Sequence, residues 1–222
     1  MQRVTEPELM DDPLQAVAYA AADFDEPHRH IVASFDTCFP QVQLAGTMLD
    51  LGCGPGDVSF RFAARFPACS VIGVDGSAAM IRLANRRRAH AGELQERVRF
   101  IEGVIPGAAI PAIPYAAIVS NSLLHHLHDP RVLWETVVRY AGAGSRIYIA
   151  DLLRPQSEVR ARDLVTRYAG GEPEVLQRDF YHSLCAAFEP REVVVQLAAA
   201  GLGELAVKVI SDRHLVVCGT RN

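Results

Sequence analysis

Long apolar runs are missing from this chain of 222 residues. None approaches the roughly 18 to 20 residues that a membrane-spanning helix needs. The beginning, "MQRVTEPELMDDP", is polar and acidic and lacks the apolar centre of a signal peptide. Cysteine is sparse: Cys38, Cys53, Cys69, Cys185 and Cys218 are far apart, odd in number and form no C-x-x-C pair. That spacing argues against a disulfide framework or a zinc knuckle and fits reduced thiols. Together these absences predict a cytoplasmic protein with no membrane partner. Lysine is almost absent, since Lys208 is the single lysine among 22 basic residues. Internal repeats and low-complexity tracts are absent as well.

What is present suits one large α/β domain, or a domain with a small cap. Half the residues are apolar and 22% are charged, the balance of a globular core. The net charge of −4 is unevenly spread. Residues 1–45 hold eight acids against Arg3 and Arg29, whereas residues 82–99 hold six arginines against Glu93 and Glu96. The run Arg86–Arg88 reads as a solvated helix face, because a nucleic-acid binder is usually basic over the whole domain. Nucleic acid is therefore not expected as a partner.

From residue 47 onward, short apolar runs alternate with helical patterns. "TMLDL" (47–51), "SVIGV" (70–74), "VRFI" (98–101), "AAIVS" (116–120) and "RIYIA" (146–150) read as strands buried on both faces of a parallel sheet. Helix starts lie between them. Asp57 is expected to cap a helix that Pro67 ends, and Ser77 one that runs to about Arg88. Asp129 with Pro130, and Glu189 with Pro190, repeat a cap followed by a first-turn proline, and Gly201 stops the last helix. "LAVKVI" and "HLVVCGT", joined by "SDR", are expected to pair antiparallel. The pattern predicts a doubly wound, mostly parallel α/β sheet with an antiparallel C-terminal hairpin. Residues 1–45 read as a helical cap on a domain of residues 46–222, and about 152–188 as a helical lid inserted in it.

The first strand runs into "LDLGCGPGD", where Gly52, Gly54 and Gly56 allow a sharp turn and close approach of a ligand. The helix that follows offers free N–H groups. Asp75 ends the second strand, where a carboxylate can accept hydrogen bonds from both hydroxyls of a ribose. The turn is G-x-G-x-G followed by an acid, not the G-x-G-x-x-G of dinucleotide binders. Asp50 and Asp57 around it would repel a pyrophosphate and suit a cofactor carrying an amine and a sulfonium.

"LDLGCGPGD", "VIGVDGSAAMIRLA", "YAAIVSNSLLHHLHDP" and "GSRIYIADL", in that order, resemble the class I S-adenosylmethionine-dependent methyltransferases over about residues 47–151. Within them the chain looks most like the small-molecule group that includes the quinone-biosynthesis methyltransferases. The resemblance implies a Rossmann-like seven-stranded sheet and S-adenosylmethionine as cofactor. It places Gly52, Cys53 and Gly54 around the methionine part of the cofactor beside Asp50, and Asp75 on the ribose. Gly76, Ser77 and Met80 would flank the adenine, with Gly103 and Val104 after the third strand. Asn121 and Ser122 would line the other side, and Tyr19 would lie over the cofactor. Two positions depart from the family pattern. Val104 replaces the usual acid that receives the adenine amine, leaving the backbone or Glu102, and "GAGS" replaces the usual "PGG" turn.

Methyl transfer from a sulfonium is an in-line displacement that needs alignment, exclusion of water and, for some acceptors, a base. His125 and His126 follow the fourth strand and are the candidate catalytic residues, while His128 is expected at the surface. His125 and His128 have helical spacing, but no second ligand cluster completes a metal site, so none is expected. Tyr181 and His182 in the lid can face an acceptor, beside a packing face of Phe180, Leu184 and Phe188. Arg213 and His214 in the hairpin turn, and Asp151 ending the fifth strand, point to the same region, Arg213 as a site for an anionic acceptor. The leading expectation is methyl transfer to a small molecule. A tRNA or protein methyltransferase, or a non-catalytic cofactor-binding protein, are the alternatives, and the oligomeric state is not legible.

Overall fold

The computed structural model describes residues 1–9, 19 and 25–222. The chain forms α1 (Asp25–Cys38), β1 (Gly46–Leu51), α2 (Asp57–Arg65), β2 (Cys69–Asp75), α3 (Ala78–Arg88), β3 (Val98–Glu102), β4 (Tyr115–Asn121), α4 (Arg131–Tyr140) and β5 (Arg146–Leu152). Then come α5 (Glu158–Ala169), α6 (Glu174–Ala186), α7 (Pro190–Ala199), β6 (Ala206–Val209) and β7 (His214–Thr220). The strands form one sheet in the order β3-β2-β1-β4-β5-β7-β6. β1 to β5 pair in parallel, and β7 runs antiparallel to both β5 and β6. The sequence order reverses between β1 and β4, which opens a crevice at their carboxyl ends.

The near-continuous apolar strands are explained by two cores. On one face Leu49, Ile72, Ile118 and Ile147 pack under Leu133, Trp134 and Val137 of α4 and Val193 and Leu197 of α7. On the other, Met48, Val71, Val119 and Tyr148 meet Phe35 of α1 and Val58 and Phe62 of α2. Phe35 is fully buried and contacts the rings of Phe39, Phe62, Phe66 and Tyr148. Truncating such a buried aromatic costs about 3–5 kcal/mol. Trp134 is fully buried too, and its Nε1–H donates to Gln196 Oε1 at 2.9 Å, so the indole leaves no orphan donor.

Several expected helix starts shift. Gly56, at φ 83°, holds the N-cap position of α2, and Asp57 is its first helical residue. Its carboxylate instead binds His28, Arg61 and Arg87. Pro130 is the residue before α4, and Asp129 Oδ1 accepts from Arg131 N at 3.0 Å in the manner of a cap, while the side chain of Arg131 also binds its carboxylate. Ser77 does cap α3 by accepting from Met80 N, and Glu189 with Glu192 forms a reciprocal capping box at α7. Residues 1–9 contain no helix, which corrects the reading of the whole 1–45 stretch as helical; most of 10–24 lies outside the described residues.

The stretch read as a lid consists of α5 and α6, which bury Leu164, Val165 and Leu184 against Leu152 at the end of β5. Because β6 runs parallel to β5, the hairpin turn lies at the carboxyl edge of the sheet, where Asp212 accepts from Arg160 and Tyr168 of α5. Among the described residues, no helix is long and apolar enough to cross a membrane.

Candidate active site

The turn after β1 is built from three left-handed glycines, at φ 72° for Gly52, 51° for Gly54 and 83° for Gly56. A Cβ on Gly52 would lie 2.8 Å from Leu123 Cβ, so glycine lets this turn close against the segment that leaves β4. A Cβ on Gly54 would meet nothing within 4 Å, and Gly54 lines a cleft at this point. Tyr19, His28, Asp50, Cys53, Asp57 and Asn121 are among its lining residues.

Asp75 braces the turn. Its Oδ2 accepts from Gly54 N at 2.8 Å and its Oδ1 from Ser77 N at 2.8 Å, which ties the glycine turn to the start of α3. Asp50 is buried at the floor, where Ser59 Oγ donates to it. Burial, with Asp75 nearby, pushes the Asp50 carboxyl up to about 7. Asp57 is held well below the usual carboxylate range: burial is outweighed by His28, 2.6 Å away, and by Arg61. Its charge is thus already paired. Tyr19 packs on Ala79 and Met80, and burial followed by the charges of Asp75 and Asp57 pushes its phenol up to about 12. Gly54, with an open face beside Asp50 and Asp75, forms a cradle that suits a cation-bearing nucleoside.

The adenine-side candidates are placed differently. Ser77 is buried as a helix cap, and Met80 lies in the packing of α3. Gly103 N donates to Asp75 O, and Val104 is exposed with no acceptor on its side chain. The side chain of Leu9 lies over Gly76, 2.7 Å from where a Cβ would stand.

On the other side of the crevice, Ser122 has φ 57° and turns the chain from Asn121 toward the histidines. His125 is buried, and its Nδ1 lies 2.6 Å from Asp151 Oδ1. Asp151 also accepts from Leu124 N and Leu152 N, so its position is fixed by backbone of the turn after β4 and of β5. Burial disfavours the charged imidazole of His125, but the charge and hydrogen bond of Asp151 outweigh it and raise the pKa. His126 is pushed down to about 3 by burial and by His125. Glu6 lies 3.5 Å from His125 Nε2 and 3.2 Å from His126 Nδ1, and Ser183 Oγ donates to it at 3.0 Å. Burial raises its pKa. Arg3 holds this segment in place by donating to the carbonyls of His125, Leu127 and Ala186 and stacking on Phe188.

The remaining candidates are dispersed. Tyr181 packs in the lid under Arg162, while His182 is exposed and lies within electrostatic range of Glu6. Arg213 stacks on Tyr168 at 3.3 Å and pairs with Asp212, so it is engaged in the lid clasp. His214 meets Ser211 Oγ at 3.0 Å, and burial followed by Arg213 pushes its pKa down to about 4. Sequence reasoning missed His28 and Glu6. Each acts through a partner 29 or more than a hundred positions away, and no local pattern marks either.

A glycine cradle, an acid ending β2 and a cleft at the switch point define a Rossmann-like enzyme that binds a nucleoside cofactor. Residues 48–144 match the family model described as a methyltransferase domain. An uncharacterised methyltransferase of Mycobacterium tuberculosis is 26% identical over 150 residues, covering 68% of this chain and 73% of that protein. The trans-aconitate 2-methyltransferase of an Azoarcus species is 32% identical over 105 residues, covering 47% of this chain and 38% of that one. Among solved structures, the plantazolicin methyltransferase in complex with SAH superposes with a TM-score of 0.69 at 18% identity, covering 95% of this chain and 91% of that one. A SAM-dependent methyltransferase from Aquifex aeolicus gives 0.66 at 15% identity, covering 93% and 97%. Residues 48–144 carry a methyltransferase domain, and these matches support a class I S-adenosylmethionine-dependent methyltransferase.

Proposed function

We propose that the protein methylates a small molecule held between the cofactor cleft and the α5–α6 lid. What supports this reading is the arrangement along the carboxyl edge: glycine cradle and Asp75 on one side, buried His125 and Asp151 on the other, and α5 and α6 packed on the end of β5. A lid over that edge excludes water and suits a compact acceptor better than a polymer. The relatives named for trans-aconitate support a small acceptor. The five cysteines are all free thiols, which supports a cytoplasmic location.

When bound, S-adenosylmethionine supplies an electrophilic methyl group on a sulfonium. The chain provides the rest. Gly52, Cys53 and Gly54 give the backbone cradle for the methionine part, with Asp50 beneath it, Asn121 and Ser122 opposite and Tyr19 above. Asp75 takes the ribose hydroxyls. Gly76, Ser77, Met80, Gly103 and Val104 border the adenine, where Val104 leaves the amine to the backbone or to Glu102. His125 and His126 face the acceptor's reacting group. The Asp151 carboxylate receives Nδ1–H of His125 and so leaves the Nε2 lone pair on the Glu6 side, at the wall of the acceptor region. His182 and His214 border the same region. Tyr181 and Arg213 shape it through the lid.

Incubation with methyl-labelled cofactor and cell extract, followed by size fractionation, tests the reading. Label in the small-molecule fraction is expected, and label confined to RNA or protein overturns it.

A further inference from the structure

The sequence gives His125 and His126 no third ligand. The fold supplies one, because residues 1–9 run along the carboxyl edge and bring Glu6 to a nitrogen of each ring. The geometry points to a site for a single divalent transition-metal ion of the zinc class, held by Glu6 Oε1, His125 Nε2 and His126 Nδ1.

All three donor atoms lie within 4.8 Å of one another. The oxygen-to-nitrogen separations are 3.5 Å to His125 and 3.2 Å to His126. Zinc bonds of 2.0–2.1 Å at tetrahedral angles give ligand–ligand edges of about 3.3–3.4 Å, and the same bonds at right angles about 3.0 Å. The observed pair brackets the tetrahedral value. Two imidazoles, one carboxylate and an open fourth position are a donor set that zinc accepts.

Asp151 takes the Nδ1–H of His125, which leaves the Nε2 lone pair directed at Glu6. This is the carboxylate–histidine support that metal ligands commonly carry in their outer shell. His126 Nδ1 is buried and has no hydrogen-bond partner among the described residues. The carboxylate is itself steadied by Ser183 Oγ, which donates to both of its oxygens. A cation at the centre satisfies all three groups together. In its fourth position the ion takes the acceptor's reacting atom or a water, a clause that rests on the acceptor-side reading above; the metal site itself does not.

The test uses the full chain, stripped with chelator and titrated with zinc(II) against a chromophoric competitor, with cobalt(II) as a spectroscopic probe. Uptake of about one equivalent is expected, with a ligand-field spectrum from cobalt. Glu6→Gln and His126→Ala should each weaken zinc binding by tenfold or more, and Asp151→Asn by about 10–100-fold. SAH titrations on the same samples show that each variant is folded. Retained SAH binding with no stoichiometric zinc uptake by the unaltered chain overturns this inference alone. So does zinc uptake that Glu6→Gln leaves unchanged. Failure of the unaltered chain to bind SAH would instead strike the cofactor reading.

Discussion

Asp75→Asn keeps the volume of the side chain and replaces one acceptor oxygen by a donor NH2. In the unaltered protein the two oxygens accept from Gly54 N and Ser77 N, each at 2.8 Å. The variant satisfies one of these backbone donors and sets an amide donor against the other. An unpaired, part-buried N–H costs about 1–3 kcal/mol. For a chain of this size each kcal/mol lowers the melting temperature by about 2–4 °C. The cofactor loses more specifically: a hydrogen bond to a charged acceptor contributes about 1.5–3 kcal/mol, which corresponds to roughly 10–150-fold in Kd. Isothermal titration with SAH, paired with thermal unfolding of the same samples, separates the two effects. Weaker binding at a temperature where the variant is fully folded is the expected outcome. An SAH affinity equal to that of the unaltered protein would refute the assignment of Asp75 to the ribose.

Three further outcomes follow from the same geometry. Gly54→Ala places a methyl group in open space on the cleft side at φ 51°; the left-handed backbone costs about 1–2 kcal/mol, so the protein should stay folded but lose SAH binding, read by the same titration. Arg3→Ala removes three charge-assisted bonds to carbonyls and a stack on Phe188 3.9 Å away; with allowance for partial exposure it should cost about 2–4 kcal/mol, read by calorimetric unfolding, with Arg3→Lys intermediate. Burial pushes the Asp50 carboxyl up to about 7, so the stability that its protonated form gives the unliganded fold is lost as pH rises from about 4 to about 7. A cation in the cleft favours the ionised form, so S-adenosylmethionine affinity should rise with pH through about 7, with proton release, more than that of the uncharged thioether SAH; titrations in buffers of different ionisation enthalpy check this.

The sheet was legible because strands covered on both faces must be almost wholly apolar, and "VIGV" or "AAIVS" has no other comfortable place. The glycine turn and Asp75 were legible because backbone conformation and a strand end leave local marks. Caps were half legible. Ser77 caps as its residue type suggests, but Asp57 was misread because His28, Arg61 and Arg87 from α1, α2 and α3 compete for its carboxylate. The acceptor side was hardly legible. Glu6 meets His125 only through the path of residues 1–9 along the sheet edge, and those residues carry no periodic pattern. Arg213 reads as an anion site from composition, yet the aromatic face of Tyr168 captures it.

Methyl transfer is expected between the glycine cradle and the Glu6–His125–His126 wall. A crystal structure of the protein with SAH and a slowly reacting acceptor analogue tests this. Ribose hydroxyls on Asp75 are expected, with a thioether sulfur that opens toward His125 and His126 and the analogue's reacting atom between them. A sulfur that faces away from these histidines, with the acceptor bound elsewhere, would contradict it.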